Sequence, residues 1–145
     1  MSDNAAKAIV RYAENDFFIG TTPSGHSQVL DIDHDRGSAA TPVELLMIAL
    51  GGCTGVDIVS VLKKKRAAVT NYRVEITGDR RDEHPRNFTK MRLHHIIEGH
   101  NVSPAAVAKA IELSETKYCS VAATFRPTVT IESTFEIVET SEVQS

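Results

Sequence analysis

Thr41-Pro42-Val43-Glu44-Leu45-Leu46-Met47-Ile48-Ala49-Leu50-Gly51-Gly52-Cys53-Thr54-Gly55-Val56-Asp57 decides how this chain is built. It opens as a helix opens. Thr41 suits the N-cap, Pro42 suits the first helical position, and Thr41-x-x-Glu44 has the spacing of a capping box. Leu45, Ile48 and Ala49 recur at helical spacing and form the expected buried stripe. Gly51-Gly52 is weak helix, costing about 1 kcal/mol per glycine relative to alanine. The pair predicts a break or kink, with Cys53 near the start of a second helix running to about Arg66. The cationic run Lys63-Lys64-Lys65-Arg66 suits a helix C-terminus.

Leu45 to Leu62 is long and apolar enough to resemble a membrane span. Asp57 argues against it. A mid-span Asp costs about 2.5–3.5 kcal/mol, while each apolar residue returns only about 0.3–0.6. The segment therefore reads as a core helix with a solvated basic end, and no membrane partner is expected. A helix apolar nearly all round needs cover on all sides, and a chain this short supplies little. A homodimer is the simplest remedy.

Short strands precede the helix. Lys7 to Tyr12, Phe17 to Gly20 and Gln28 to Ile32 are bounded by Asn15-Asp16 and Pro23-Ser24-Gly25, which are turn signals. Asp33 to Ala40 reads as a polar, flexible loop. Beyond the basic run, Asn71 to Gly78 alternates Tyr72, Val74 and Ile76 against polar residues. Phe88 to Ile97 places Met91, Leu93, His95 and Ile97 on one face, and the charged stretch Asp79 to Asn87 reads as a hairpin loop. Ser103-Pro104 caps a further helix, with Val107, Ala110, Ile111, Ser114 and Tyr118 on one side and an end near Cys119. Thr128 to Val138 alternates most regularly of all. The order of elements gives an α+β fold, helices on a mostly antiparallel sheet, and 145 residues make a single domain, 1–145.

Bulk properties exclude several classes. A net charge of −3 gives no reason to expect a nucleic-acid partner. The start, Met1-Ser2-Asp3-Asn4, has neither a basic region nor an apolar run, so a cytoplasmic location is expected. No CxxC, HxxxH, HExxH, GxGxxG or P-loop occurs, so neither a metal nor a nucleotide cofactor is expected. His94 and His95 are strand neighbours and must point to opposite faces.

The two cysteines are what remains. An ordinary thiol is about 3% thiolate at pH 7. A helix N-terminus or a neighbouring Arg could lower the pKa of Cys53 to roughly 6. Cys53 also reads simply as a small buried hydrophobe. Cys119 is a candidate partner, able to condense with a sulfenic acid if the sulfurs meet. Asp57, one turn after Cys53, would raise the thiol pKa or hold a backbone group. Glu44 is satisfied as a capping carboxylate, or else holds an Arg near the thiol.

Pro42-x-Glu44-Leu45-Leu46, Ala49-Leu50-Gly51-Gly52-Cys53-Thr54-Gly55-x-Asp57 and Tyr118-Cys119-Ser120-Val121 together resemble the OsmC/Ohr family, most closely its OsmC-like branch. The resemblance implies an intertwined homodimer with the central helices buried across it and active sites at the subunit interface. It implies reduction of organic hydroperoxides, with Cys53 attacking, Cys119 resolving, an external dithiol restoring the pair and no bound cofactor. Val43 stands where hydroperoxidase members typically carry a Glu. Glu44, its neighbour, points about 100° away on a helix. Arg11 and Arg36 are the candidates for the activating Arg. The alternative is a protein of this fold without hydroperoxidase activity that binds a small apolar or electrophilic ligand.

Overall fold

A computed structural model describes residues 5–141. They form two units, one ending at Leu46 and the other beginning at Met47. In the first, β1 (Ile9–Tyr12), β2 (Phe17–Thr21) and β3 (Ser27–Asp31) make an antiparallel meander in chain order. Glu14, Asn15 and Asp16 turn the chain from β1 to β2 with φ of 67°, 50° and 63°. Gly25 turns it from β2 to β3 at φ 87°, a value that favours glycine.

The stretch expected as a flexible loop is tied to a buried carboxylate. Asp31 accepts hydrogen bonds from Arg36 Nε at 2.9 Å and Nη2 at 2.7 Å. It also accepts from the backbone N–H groups of Asp33 and Ser38, each at 2.9 Å. The Arg36 guanidinium holds the Asp31 carboxyl well below the usual carboxylate range. Arg36 also donates to the Asn15 carbonyl at 2.7 Å and lies 3.9 Å above the Phe17 ring. Asp31 is the only buried residue among the described residues of this unit. Ile9, Val10 and Tyr12 stay 49%, 62% and 63% exposed.

The central helix, α1 (Pro42–Lys64), starts as the sequence predicts. The Thr41 N–H donates to Glu44 Oε2 at 2.7 Å, and the Glu44 N–H donates to Thr41 Oγ1 at 3.2 Å. It does not break at Gly51-Gly52, and it runs without interruption to Lys64. The glycines serve a close approach instead. A Cβ on Gly51 would lie 2.5 Å from Ile76 Cδ1, and one on Gly55 would lie 2.9 Å from Tyr72 Cε1. The stripe is therefore out of phase with the expected one. Leu50, Gly51, Thr54, Gly55, Ile58 and Leu62 are buried, whereas Ala49 is exposed, Leu45 is half-buried and Ile48 is 63% exposed. The small residues, not the large ones, select the face that meets the sheet.

That sheet is β4 (Ala68–Arg80), β5 (Phe88–His100) and β6 (Thr130–Glu139), in that order. β4 and β5 form the expected antiparallel hairpin, with Val74 opposite His95. β6 joins β5 in parallel, with Ile97 opposite Ile137. A parallel neighbour needs a crossover connection, and helices supply it. Ser103 caps α2 (Pro104–Leu113), its hydroxyl accepting from the Ala106 N–H at 3.3 Å. Ile58 and Leu62 of α1 meet Ile97, Val107, Ala110 and Ile111 in one apolar core. α1 is long and apolar enough to cross a membrane by length and composition; here Ile58 and Leu62 pack in that core. After Leu113 comes a single π turn, Ser114–Tyr118, and then a short α3 (Ser120–Phe125) that the sequence pattern did not predict. The wider turn rotates Tyr118 away from the side shared by Val107 and Ala110, leaving it 48% exposed.

His94 and His95 face oppositely, as expected. His94 Nδ1 pairs with Thr134 Oγ1 at 2.7 Å, whereas His95 is fully buried with its Nδ1 2.7 Å from the Tyr72 hydroxyl. His95 Nε2 finds no partner among the described residues. Burial, and secondarily His94, push the His95 pKa down from 6.5 to about 4. The folded state thus prefers neutral His95. Its contribution is complete above the ordinary histidine value and is lost as pH falls from there through about 4. The loss amounts to at most about 3 kcal/mol. The urea midpoint should fall between pH 7 and pH 4.5, and His95→Gln should flatten that slope. Parallel slopes for the two proteins would rule out His95 as the cause.

Candidate functional site

Three donor side chains meet in the second unit. Cys53 Sγ, Cys119 Sγ and an Asp57 carboxylate oxygen lie within 4.8 Å of one another. Cys53 and Asp57 are four residues apart on α1, so the helix places them on one face. Cys119 directly follows the π turn and caps α3. The Cys119 N–H reaches back to the Ser114 carbonyl at 2.8 Å, closing the turn. The extra residue in that turn sets Ser114 and Cys119 together against α1. Ser114 Oγ donates to Asp57 Oδ2 at 2.9 Å, and Thr54 Oγ1 lies 3.6 Å from Cys119 Sγ.

Both sulfurs face the first turn of α3. The Ala122 N–H donates to Cys119 Sγ at 3.3 Å, and the backbone N–H of Val121 favours the Cys53 thiolate. Cys53 is thus in mid-helix, and the expected helix start that would lower its pKa is not there. The peptide N–H that favours its thiolate comes from another helix. Burial is the larger effect and pushes the Cys53 thiol up, with Cys119 and Asp57 adding to the rise. Cys53 is half-buried and Cys119 buried, and both are free thiols. The more accessible sulfur is the one on α1.

Of the remaining sequence candidates, Glu44 is engaged by its capping box and Arg36 by Asp31. Sequence reasoning did not single out Thr54 as a neighbour of Cys119, or Ser114 as the partner of Asp57. Ser114 carried no signal beyond its place in the helical stripe, because its role depends on a π turn that periodicity does not announce. Two cavities lie along α1, one of them reaching Asp57. One of 330 Å³ is lined by Asp57, Ser60, Val61, Lys64, Leu113 and Tyr118. An open apolar groove of 760 Å³ runs along Gly52, Val56 and Val59 of α1 and Tyr72, Val74 and Ile76 of β4.

Comparison with known proteins agrees with this architecture. Residues 34–134 match the family model described as OsmC-like protein. Protein YhfA of Escherichia coli K12 is 40% identical over 132 residues, covering 91% of this chain and 98% of its own length. A crystal structure of a hypothetical protein from Aquifex aeolicus VF5 aligns with a TM-score of 0.84 at 26% identity, over 95% of this chain and 99% of that one. An organic hydroperoxide resistance protein from Elizabethkingia anophelis aligns with a TM-score of 0.69 over 96% of this chain and 99% of its own. At 14% identity, that likeness concerns the fold alone.

Proposed function

The chain belongs to the OsmC-like family, and from that membership we propose that it reduces organic hydroperoxides through Cys53 and Cys119. The observation that carries the reading is the approach of the two sulfurs to within 4.8 Å, with the more accessible one on α1. The Cys53 thiolate attacks the terminal oxygen of ROOH. The O–O bond breaks, the alkoxide takes a proton and leaves as ROH, and Cys53 becomes a sulfenic acid. Cys119 attacks that sulfur, water departs and a disulfide forms. An external dithiol restores both thiols by exchange. No bound cofactor takes part. A reducing compartment such as the cytoplasm keeps the resting pair reduced.

The peptide N–H of Val121 and the buried setting act in opposite directions. The N–H stabilises the sulfur anion, while burial favours the neutral thiol. The cavity beside Asp57 and Leu113 reaches the carboxylate that neighbours the sulfurs. The decisive experiment is intact-mass measurement after one equivalent of an organic hydroperoxide. Loss of two hydrogens without oligomer supports the intrachain disulfide, and an unchanged mass opposes the reading.

The working form in this proposal is a homodimer. The 760 Å³ groove, Ile48 at 63% and Val56 at 71% exposed give α1 an uncovered apolar face. The first unit has no apolar core of its own among the described residues. A small sheet so exposed needs further packing to be stable. Light scattering should give the mass of two chains. Val56→Glu, which would place an unpaired charge in the contact, should weaken association by about 2 kcal/mol or more. A monomeric wild type at micromolar concentration would defeat this part of the proposal.

A second reading has its own observation. Burial raises the Cys53 thiol, and both Glu44 and Arg36 are occupied elsewhere. These favour a protein of the same fold that binds a small apolar or electrophilic ligand. It would leave added hydroperoxide unconsumed in the presence of a dithiol.

A further inference from the structure

We propose that Cys53, Cys119 and Asp57 form a three-donor site for a thiophilic divalent cation such as Zn2+ or Cd2+, a property separate from hydroperoxide reduction. The donor set is two sulfurs and one carboxylate oxygen within 4.8 Å of one another. Thiolates select soft and borderline cations over Mg2+ and Ca2+. Bonds of about 2.3 Å to sulfur and about 2.0–2.2 Å to oxygen place tetrahedral donors roughly 3.5–3.8 Å apart. The three atoms therefore lie at most about 1 Å beyond that spacing.

The surroundings supply what a cation–thiolate centre needs. Cys119 Sγ already accepts from the Ala122 N–H at 3.3 Å, and the Val121 N–H favours the thiolate of Cys53. N–H donors at sulfur offset excess anionic charge on bound thiolates. Ser114 Oγ donates to Asp57 Oδ2 at 2.9 Å, fixing one carboxylate oxygen and leaving the other free to coordinate. Orienting contacts of this kind typically change metal affinity by about 10–100-fold. Asp57 also lines the 330 Å³ cavity, so the carboxylate side of the site has room for a fourth ligand such as water. On binding, the two thiols release their protons to solvent. Two thiolates and one carboxylate then hold the dication, leaving one net negative charge.

The test uses the full-length reduced protein and Cd2+ under anaerobic conditions, following the ultraviolet thiolate-to-cadmium charge-transfer band. The expected result is a band that saturates at one ion per chain. Cys53→Ser or Cys119→Ser should remove most of the intensity and lower the affinity by more than about 100-fold, and Asp57→Asn should lower it about 10-fold or more. Reversible methylthiolation of wild-type cysteines gives a check without a variant. The band should vanish on blocking and return on reduction. A stoichiometric band that survives Cys53→Ser, saturation at one ion per two chains with Asp57→Asn unchanged, or the absence of any band overturns the proposal. Hydroperoxide consumption without cadmium binding would reject this site while leaving the redox reading standing.

Discussion

Cys53→Ser should reduce hydroperoxide consumption by more than about a thousandfold, because it removes the only atom in the proposed sequence that attacks the O–O bond. A serine hydroxyl in the same place is not ionised near neutral pH and does not form a sulfenic acid. Cys119→Ser should behave differently. The first equivalent of peroxide is still reduced, but the sulfenic acid on Cys53 persists and is trapped by a dione reagent. Turnover with a dithiol then depends on slower, direct attack by the reductant. The two variants separate an attacking from a resolving thiol in a way that total activity does not. If Cys53→Ser keeps the wild-type rate, the assignment fails. If the two variants exchange phenotypes, the roles are reversed.

Local rules made much of this architecture legible. The Thr41–Glu44 cap, the alternation from Tyr72 to Ile76, the buried face of Met91, Leu93, His95 and Ile97, and the regular β6 are each determined by residues close in sequence. The candidate thiols were visible for a different reason: only two cysteines occur in the chain. What escaped depends on contacts distant in sequence. Gly51-Gly52 looks like a helix break from propensity alone. Against Ile76 and Tyr72 it becomes a close-packing surface, and tertiary burial outweighs the local cost. The same error carried into electrostatics. A broken helix would have given Cys53 an N-terminus of its own, whereas the continuous helix leaves it to borrow an N–H from Val121. The π turn was hidden as well, because one additional residue in a turn leaves composition and periodicity nearly unchanged. It decides where Ser114, Tyr118 and Cys119 point.

Gly55→Val should cost about 3–5 kcal/mol, a large fraction of the 5–15 kcal/mol typical of a folded domain. A Cβ at Gly55 meets Tyr72 Cε1 at 2.9 Å, the hydroxyl at 3.5 Å and Cζ at 3.6 Å. An exposed ring would swing aside. Tyr72 cannot do so freely, because its hydroxyl lies 2.7 Å from Nδ1 of the fully buried His95. Displacing the ring separates that pair, and His95 Nε2 already finds no partner among the described residues. Overpacking costs typically about 1–3 kcal/mol, and a buried polar group losing its partner costs a further 1–3 or so. Urea unfolding should show a lower midpoint with an unchanged m-value. The double variant Gly55→Val with Tyr72→Leu tests the mechanism, since a smaller, non-bonding side chain makes room for the added group. Its loss should fall short of the summed single losses by at least about 1 kcal/mol. Strict additivity would mean that the ring and the glycine do not oppose each other. The continuous helix would then owe its glycines to something other than the approach of α1 to β4.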